Sequence, residues 1–494
     1  MAARRCCAKF AFYWKLRLRR QSDALRMATC ATASLPVPFL SNDSTMTTTS
    51  STTPLHRIVI VGGGAGGLEL ATSLGNKLGK RGKAEVTLIE KARTHFWKPH
   101  LHEIAAGSVD LHTHATDYLA QSHWNGFLYR IGEMVGLDRE RREVSVAAYL
   151  DEEGRQVTQA HKFQYDTLVM AVGSQTNDFG TPGVKAHAIA LETPQDAEVF
   201  HRRLVNACIR AHSQEVPLES HQLMVAVIGA GATGVELCAE LHKATRTLVS
   251  YGLDRIDAER DLKLVLIEAG PRILPALPER ISTAAHQLLS KLGVQVRTAA
   301  KVTAVVNHAG VTSVQLADGQ SIPAELVVWA AGVKAPEFLR DLSGLESNRI
   351  NQLVVKSTLQ TTRDEAIFAI GDCAAVPWLG RPEGTTTPPR AQAAHQHASH
   401  LVKQIQRRMA GQALTPWHYR DFGSLISLGE YSTVGNLMGG LMKGTLWVDG
   451  FFARTMYLSL YKLHEVALHG YWKTGLGTAS RLLTRRTEPR VKLH

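Results

Sequence analysis

Four apolar positions in a row, residues 58–61 (IVIV), run straight into a glycine cluster. Leu68, Leu70, Ala71 and Leu74 then recur at helical spacing, and a second apolar run, residues 86–89, closes on Glu90. A short unbroken apolar run suits a strand buried on both faces, and the 3.6-residue period after it suits a helix packed on that strand. The pattern predicts strand, tight turn, helix and parallel strand. It recurs at residues 223–240 (LMVAVIGAGATGVELCAE), whose partner strand, residues 262–267, ends on Glu268 after a longer helix and loop. Further apolar runs lead into glycine at residues 165–173 (YDTLVMAVG), 326–332 (LVVWAAG) and 366–372 (AIFAIGD). Alternation over residues 131–150 predicts strands around a charged hairpin at 138–143.

Both glycine clusters read G-x-G-x-x-G: Gly62, Gly64 and Gly67 in the first, Gly229, Gly231 and Gly234 in the second. At this spacing the first glycine makes the turn, the second lets a pyrophosphate approach the backbone, and the third lets helix and strand pack closely. The phosphates then meet the free N–H groups and positive dipole end of the helix. Glu90 and Glu268 are each placed to accept from a ribose hydroxyl. A carboxylate at Glu268 favours NADH and repels a 2′-phosphate, a preference that Arg272 nearby would soften. Two such units bring two cofactors face to face, FAD in the first and NAD(P)H in the second. Asp372, after its glycine, suits a flavin ribityl hydroxyl. The expected fold class is α/β, two Rossmann-type dinucleotide-binding domains on a glutathione-reductase-like plan, followed by C-terminal amphipathic membrane-associating helices. The expected boundaries are 55–177 with 333–400 for FAD, 178–332 for NADH and 401–494 for membrane association.

The net charge of +12 suits an anionic partner. No zinc-finger or RNP-like pattern supports nucleic acid. Half of that charge lies before Met46, in an Arg-rich, then Ser/Thr-rich leader expected to be disordered. Residues 1–53 read either as an organelle-targeting peptide or as a start assigned too early, with Met46 the true first residue. The six cysteines form no C-x-x-C, and none lies between Cys30 and Cys208. A thiol relay beside the flavin is thereby excluded, so a flavin here reduces its acceptor directly. Residues 91–107 (KARTHFWKPHLHEIAAG) suit either a loop against the flavin ring or ordinary core packing. Gln392 and Gln396, four apart in PPRAQAAHQHASH, share a helical face that suits a carbonyl-bearing acceptor or solvent. His395, His397 and His400 lack acids at ligand spacing, so no metal is expected.

Toward the C-terminus, Phe452, Met456, Leu460, Leu463 and Ala467 form one apolar stripe. Aromatic residues and Arg481, Arg485, Arg486, Arg490 and Lys492 flank it. No stretch reaches spanning length, and the composition describes a segment lying in a membrane interface, or else a core helix or dimer contact.

On these motifs the chain resembles the type II NADH:quinone oxidoreductases, the single-subunit, non-pumping NADH dehydrogenases of bacterial respiratory chains. The segments that carry the resemblance include VIVGGGAGGLELA, HFWKPHLHEIAAGS, VIGAGATGVELCAEL, TTRDEAIFAIGDCA and PPRAQAAHQ, and it runs from about Thr53 to His494. The resemblance implies FAD at Gly62, Gly64, Gly67, Glu90, Lys98, Val135 and Asp372, and NADH at Gly229, Gly231, Gly234 and Glu268. It implies a membrane quinone near Gln392 and Gln396, and a catalytic acid at Glu236, which by position alone reads as a dipole-favoured surface acid. It also implies the cytoplasmic face of the bacterial inner membrane, or the mitochondrial inner membrane if the leader is real. A homodimer stays open. Sulfide:quinone oxidoreductases, soluble flavoprotein reductases of a protein acceptor, and a redox-sensing module that binds FAD and NADH without turnover are the alternatives.

Overall fold

The computed structural model describes residues 54–428, 432–438, 445–448, 450–484 and 491; the leader, residues 1–53, lies outside them. The first predicted unit is β1 (His56–Val61), α1 (Ala65–Lys77) and β2 (Ala84–Glu90). Leu68, Leu70, Ala71 and Leu74 of α1 are all fully buried, as their period requires. The second unit is β3 (Met224–Ile228), α2 (Ala232–Ser250) and β4 (Lys263–Ile267); the 19 residues of α2 account for the wider gap before Glu268.

Each unit sits at the centre of a five-stranded parallel sheet. In the first sheet the order is Ile367–Ala369, Thr167–Met170, β1, β2, Leu128–Ile131. In the second it is Ile189–Ala190, Leu326–Trp329, β3, β4, Gln295–Arg297. The two orders correspond strand for strand. Because the chain leaves each central strand toward one neighbour and returns later on the other side, a crevice opens at the carboxyl end of that strand. The apolar runs ending at Gly173, Gly332 and Gly371 are thus sheet strands delivered to the two crevices. Each sheet also carries a three-stranded antiparallel layer: Met134–Asp138, Glu143–Val146 and His161–Gln164 for the first, and Val302–His308, Val311–Leu316 and Ser321–Ala324 for the second.

Two further helices bear on the site. The helix after the Pro-rich turn, α3 (Ala391–Met409), lies against α1, with the Ala394 carbonyl beside Gly66. The C-terminal helix, α4 (Gly450–Thr484), breaks at Gly470, which adopts φ 76° and ψ 167°. Arg481 nonetheless reaches Glu465 at 2.5 Å. In a continuous helix those two residues would stand about 24 Å apart at 1.5 Å per residue, so α4 is a hairpin folded back at Gly470. No helix among the described residues is long and apolar enough to cross a membrane.

Candidate active site

The glycine turns have the geometry their spacing predicted. Gly62 has φ +100°, and a Cβ on it would lie 2.4 Å from the Ala171 carbonyl oxygen; a Cβ on Gly67 would lie 1.9 Å from that of Gly62. Gly229 (φ +101°) and Gly234 repeat this, the latter with 2.0 Å to the Gly229 oxygen. Gly64 and Gly231, the N-caps of α1 and α2, face open space: a Cβ on either would meet nothing within 4 Å. Neither helix has a side-chain cap or an acid in its first turn. Their first N–H groups therefore point into the crevice with no negative charge of their own, the condition for holding a pyrophosphate.

An acid closes each turn in the same way. Glu90 accepts from the N–H of Gly63 at 2.6 Å and of Ala92 at 3.0 Å. Glu268 accepts from Ala230 at 2.9 Å and Gly270 at 2.8 Å. Arg272 spends its guanidinium on the carbonyls of Leu274, Pro275 and Leu277, within its own loop.

Lys98, Ser174 and Asp372, remote in sequence, meet beside the first crevice. Lys98 donates to the Ser174 carbonyl at 3.0 Å, and the Ser174 hydroxyl donates to Asp372 at 2.8 Å. Burial raises the Asp372 carboxyl above its ordinary value, against the pull of Ser174 and Lys98. Such a carboxyl gains from further hydrogen-bond donors, which the hydroxyls of a ribityl chain supply. Val135 lies at a bulge in its antiparallel pair, between the registered positions Met134 and Gly136, and is well exposed.

Residues 91–107 divide between the two expectations for them. Phe96 and Leu101 are buried in the core of the second sheet, with Phe200 and Leu204. Trp97 turns instead to the C-terminal hairpin, its ring 4.2 Å from that of His464. Lys98 is the residue of this segment that reaches Ser174 and, through it, Asp372.

Glu236 is not a surface acid. It is buried in α2, accepts from the Ser427 N–H at 2.9 Å, and lies 3.7 Å from Nδ1 of His102. Burial, with the nearby carboxylates of Glu103 and Glu240, pushes its carboxyl up to about 8. His100, His102 and Glu103 around it lie within HFWKPHLHEIAAGS, but the sequence assigns them no role there; their H-x-H-E spacing is the one local signal that marks them.

Gln392 and Gln396 share a face of α3 as expected, and both amides grip one strap, residues 420–423. Gln392 donates to the Gly423 carbonyl at 2.9 Å and accepts from Phe422 N–H at 3.2 Å. Gln396 donates to the Arg420 carbonyl at 2.8 Å and accepts from the same residue's N–H at 3.1 Å. The neighbouring histidines each have separate partners: His395 pairs with the buried Glu69 of α1 at 2.7 Å, His397 accepts from Gly371 N–H at 3.1 Å, and His400 meets the Thr415 carbonyl at 3.1 Å. No group of three or more metal-type ligands exists among the described residues.

The family model for pyridine nucleotide-disulphide oxidoreductases matches residues 56–398. The type II NADH:quinone oxidoreductase of Haemophilus influenzae is 42% identical over 452 residues, covering 89% of this chain and all of that protein. The enzyme of the same name from Staphylococcus saprophyticus is 28% identical over 390 residues, 78% of this chain and 91% of that one. Among solved structures, NDH2 from Plasmodium falciparum in complex with NADH superposes with a TM-score of 0.74 at 20% identity, over 88% of this chain and 99% of that one. With FAD and NADH as its cofactors and a quinone as its acceptor, the chain belongs to the type II NADH:quinone oxidoreductases.

Proposed function

We propose that residues 55–177 and 333–400 hold FAD and residues 178–332 hold NADH, each dinucleotide across its own glycine turn. Gly62, Gly64 and Gly67 receive the flavin's pyrophosphate and Glu90 its ribose, with Lys98, Val135 and Asp372 completing that site. Gly229, Gly231 and Gly234 receive the NADH pyrophosphate, and Glu268 its ribose diol. The observation that carries this reading is the matched pair of acid-clamped glycine turns, each at the centre of a parallel sheet. FAD held there would supply the redox chemistry that links NADH to quinone. The chain supplies position, which by itself accounts for much of the rate of such a transfer. Glu236, whose raised carboxyl is protonated at neutral pH, serves as the acid on the quinone side. Gln392 and Gln396 shape the quinone wall through the strap they hold at the uncapped N-terminus of α3.

The enzyme reaches its quinone by lying on the membrane surface through the C-terminal hairpin. One side of the hairpin is spent on the body of the protein: His464 and Leu468 are buried, and Gln121 donates to the Leu468 carbonyl at 3.0 Å. The other side presents Leu463, Leu476 and Leu483 with Tyr471 (81% exposed) and Trp472 (87% exposed), an apolar and aromatic face beside Lys473. That composition suits the headgroup boundary of a bilayer, and a homodimer would compete for the same face. The side chains of Phe452, Met456 and Leu460, and residues 485–490 and 492–494, lie outside those described. The resemblance puts this attachment on the cytoplasmic side of a bacterial inner membrane, which is part of the proposal.

The test is purified protein mixed anaerobically with NADH and then with a short-chain quinone. It should be yellow, bleach with NADH and regain its colour with quinone; membranes should release it to detergent more readily than to salt. Colourless protein that cannot retain added FAD would end the proposal.

A further inference from the structure

Reduction of one quinone by one NADH consumes one proton from solution, and Glu236 has little contact with water. Its side chain is only 8% exposed, and that of His102 beside it 4%. The chain of groups continues outward from there. His102 stands between two carboxylates, with Nδ1 3.7 Å from Glu236 Oε2 and Nε2 3.9 Å from Glu103 Oε1. The other oxygen of Glu103, Oε2, meets Nδ1 of His100 at 2.8 Å, and the Glu103 side chain is 20% exposed. The His100 ring stands edge-on to Tyr461, centroids 4.8 Å apart. Tyr461 in turn lines a polar cavity of about 160 Å³ under the C-terminal hairpin, with His114, His469, Glu465 and Arg481. That volume is ample for water, and its walls are polar enough to keep it.

We propose that His102 and Glu103 are the proton-relay residues of the enzyme, reloading Glu236 from the cavity beneath the C-terminal hairpin. The inference rests on the reading of Glu236 as the acid for quinone. In the relay, Glu236 gives up its proton to the reduced acceptor and is left as a carboxylate. An N–H bond of His102 breaks as the Glu236 O–H bond forms, while the other His102 nitrogen takes up a proton that the Glu103 carboxylate passes on from His100 or water. Glu103, which His100 keeps ionised against its burial, is a carboxylate again after the hop, and the net change is one proton drawn from solution. The two gaps around His102 exceed direct hydrogen-bond length, so each hop uses one bridging water or a small turn of the ring. The groups facing Glu236 are His102 and Glu103 from the segment before it in sequence, Ser427 N–H from the strap side, and Glu240, itself paired with Lys243, on its own helix.

The experiment compares holoenzyme carrying H102Q, E103Q or E236Q with the parent. Bleaching by NADH and reoxidation by a short-chain quinone are timed separately, in H₂O and D₂O, and the carboxyl infrared band removed by E236Q is titrated. The relay predicts normal bleaching in all the variants and at least tenfold slower reoxidation with an enlarged solvent isotope effect. It also predicts partial rescue of H102A by added imidazole, and a lower pH midpoint for the Glu236 band in E103Q. If E236Q itself reoxidises normally, the role of Glu236 fails and the relay with it. If E236Q is slow but H102Q and E103Q reoxidise at the parental rate, the relay alone is overturned. Equal slowing of both half-reactions, without imidazole rescue, assigns the two residues a packing role and also overturns it.

Discussion

Glu90 accepts the backbone N–H of Gly63 at 2.6 Å, which ties the acid at the end of one strand to the phosphate turn at the end of its neighbour. Glu268 and Ala230 repeat the arrangement in the second sheet. The acid holds the turn, and in the proposed function it also meets a ribose. Glu268→Gln keeps the size and one acceptor but removes the charge that repels a 2′-phosphate. The expected result is a narrower NADH/NADPH ratio of kcat/KM, by roughly tenfold for about 1.4 kcal/mol, with FAD content unchanged. An unaltered ratio would remove Glu268 from the ribose.

The glycines of the first turn should not be equally replaceable. A methyl group on Gly67 would strike the Gly62 carbonyl oxygen at 1.9 Å, a backbone atom that cannot step aside, whereas one on Gly64 meets nothing within 4 Å. Gly67→Ala is expected to purify without flavin and to unfold earlier, with overpacking costing at least about 1–3 kcal/mol. Gly64→Ala should fold normally and bind FAD more weakly, because its methyl group occupies the phosphate approach. Flavin absorbance per protein and thermal unfolding measure both.

Glu236 should make quinone reduction pH-dependent in one direction. Burial and its acidic neighbours raise its carboxyl to about 8. The protonated form is therefore complete well below pH 8 and is lost as pH rises through that value. The reoxidation rate should fall on the alkaline side with a midpoint near there, and E236Q should be slow and flat. Stopped-flow reoxidation from about pH 6 to about pH 9.5, which brackets the raised value and lies wholly above the ordinary glutamate value of about 4.3, decides it.

A buried histidine pair should make docking of the hairpin sensitive to acid. His95 Nδ1 faces the Gly63 carbonyl at 3.0 Å and therefore carries the hydrogen; its Nε2 then accepts from Nε2–H of His464 at 3.0 Å. Burial holds His95 down to about 4 and His464 to about 2. An unfolded histidine titrates near 6.5, so between there and about 4 the unfolded state binds more protons. Stability is present above pH 6.5 and is lost as pH falls toward 4. His464→Phe strands the His95 acceptor and should lower stability by about 1–3 kcal/mol at pH 7 while flattening part of the acid slope. His464→Gln, which can still donate, should lie between the two. Thermal midpoints from about pH 4.5 to about pH 8, with proteolysis of the hairpin, read the effect.

The exposed aromatic residues of the hairpin should matter only at a surface. Replacing Tyr471 and Trp472 together by Ser is expected to release the protein from vesicles containing anionic lipid while turnover with a short-chain quinone stays as before. Retention on vesicles by the double variant would dismiss this face as the attachment site.

Much of this architecture could be read from the order of residues. The four-residue apolar runs, the glycine spacings and the terminal acids Glu90 and Glu268 are local patterns, and local patterns of period and turn chemistry dictate strand, turn and helix wherever they occur. The absence of cysteine between Cys30 and Cys208 excluded a thiol relay for the same reason: it needs no coordinates. What the tertiary structure alone decided are encounters between distant positions. Asp372 meets Ser174, His102 stands between Glu236 and Glu103, Gln392 and Gln396 grip the 420–423 strap, and His464 reaches back to His95. Phe96 and Leu101 went to the core of the second sheet, and α4 doubled back at Gly470, because burial depends on which surfaces meet after the sheets have formed. Periodicity says which face of an element is apolar; only packing says what that face is buried against, and hence which acids lose their water and change their chemistry.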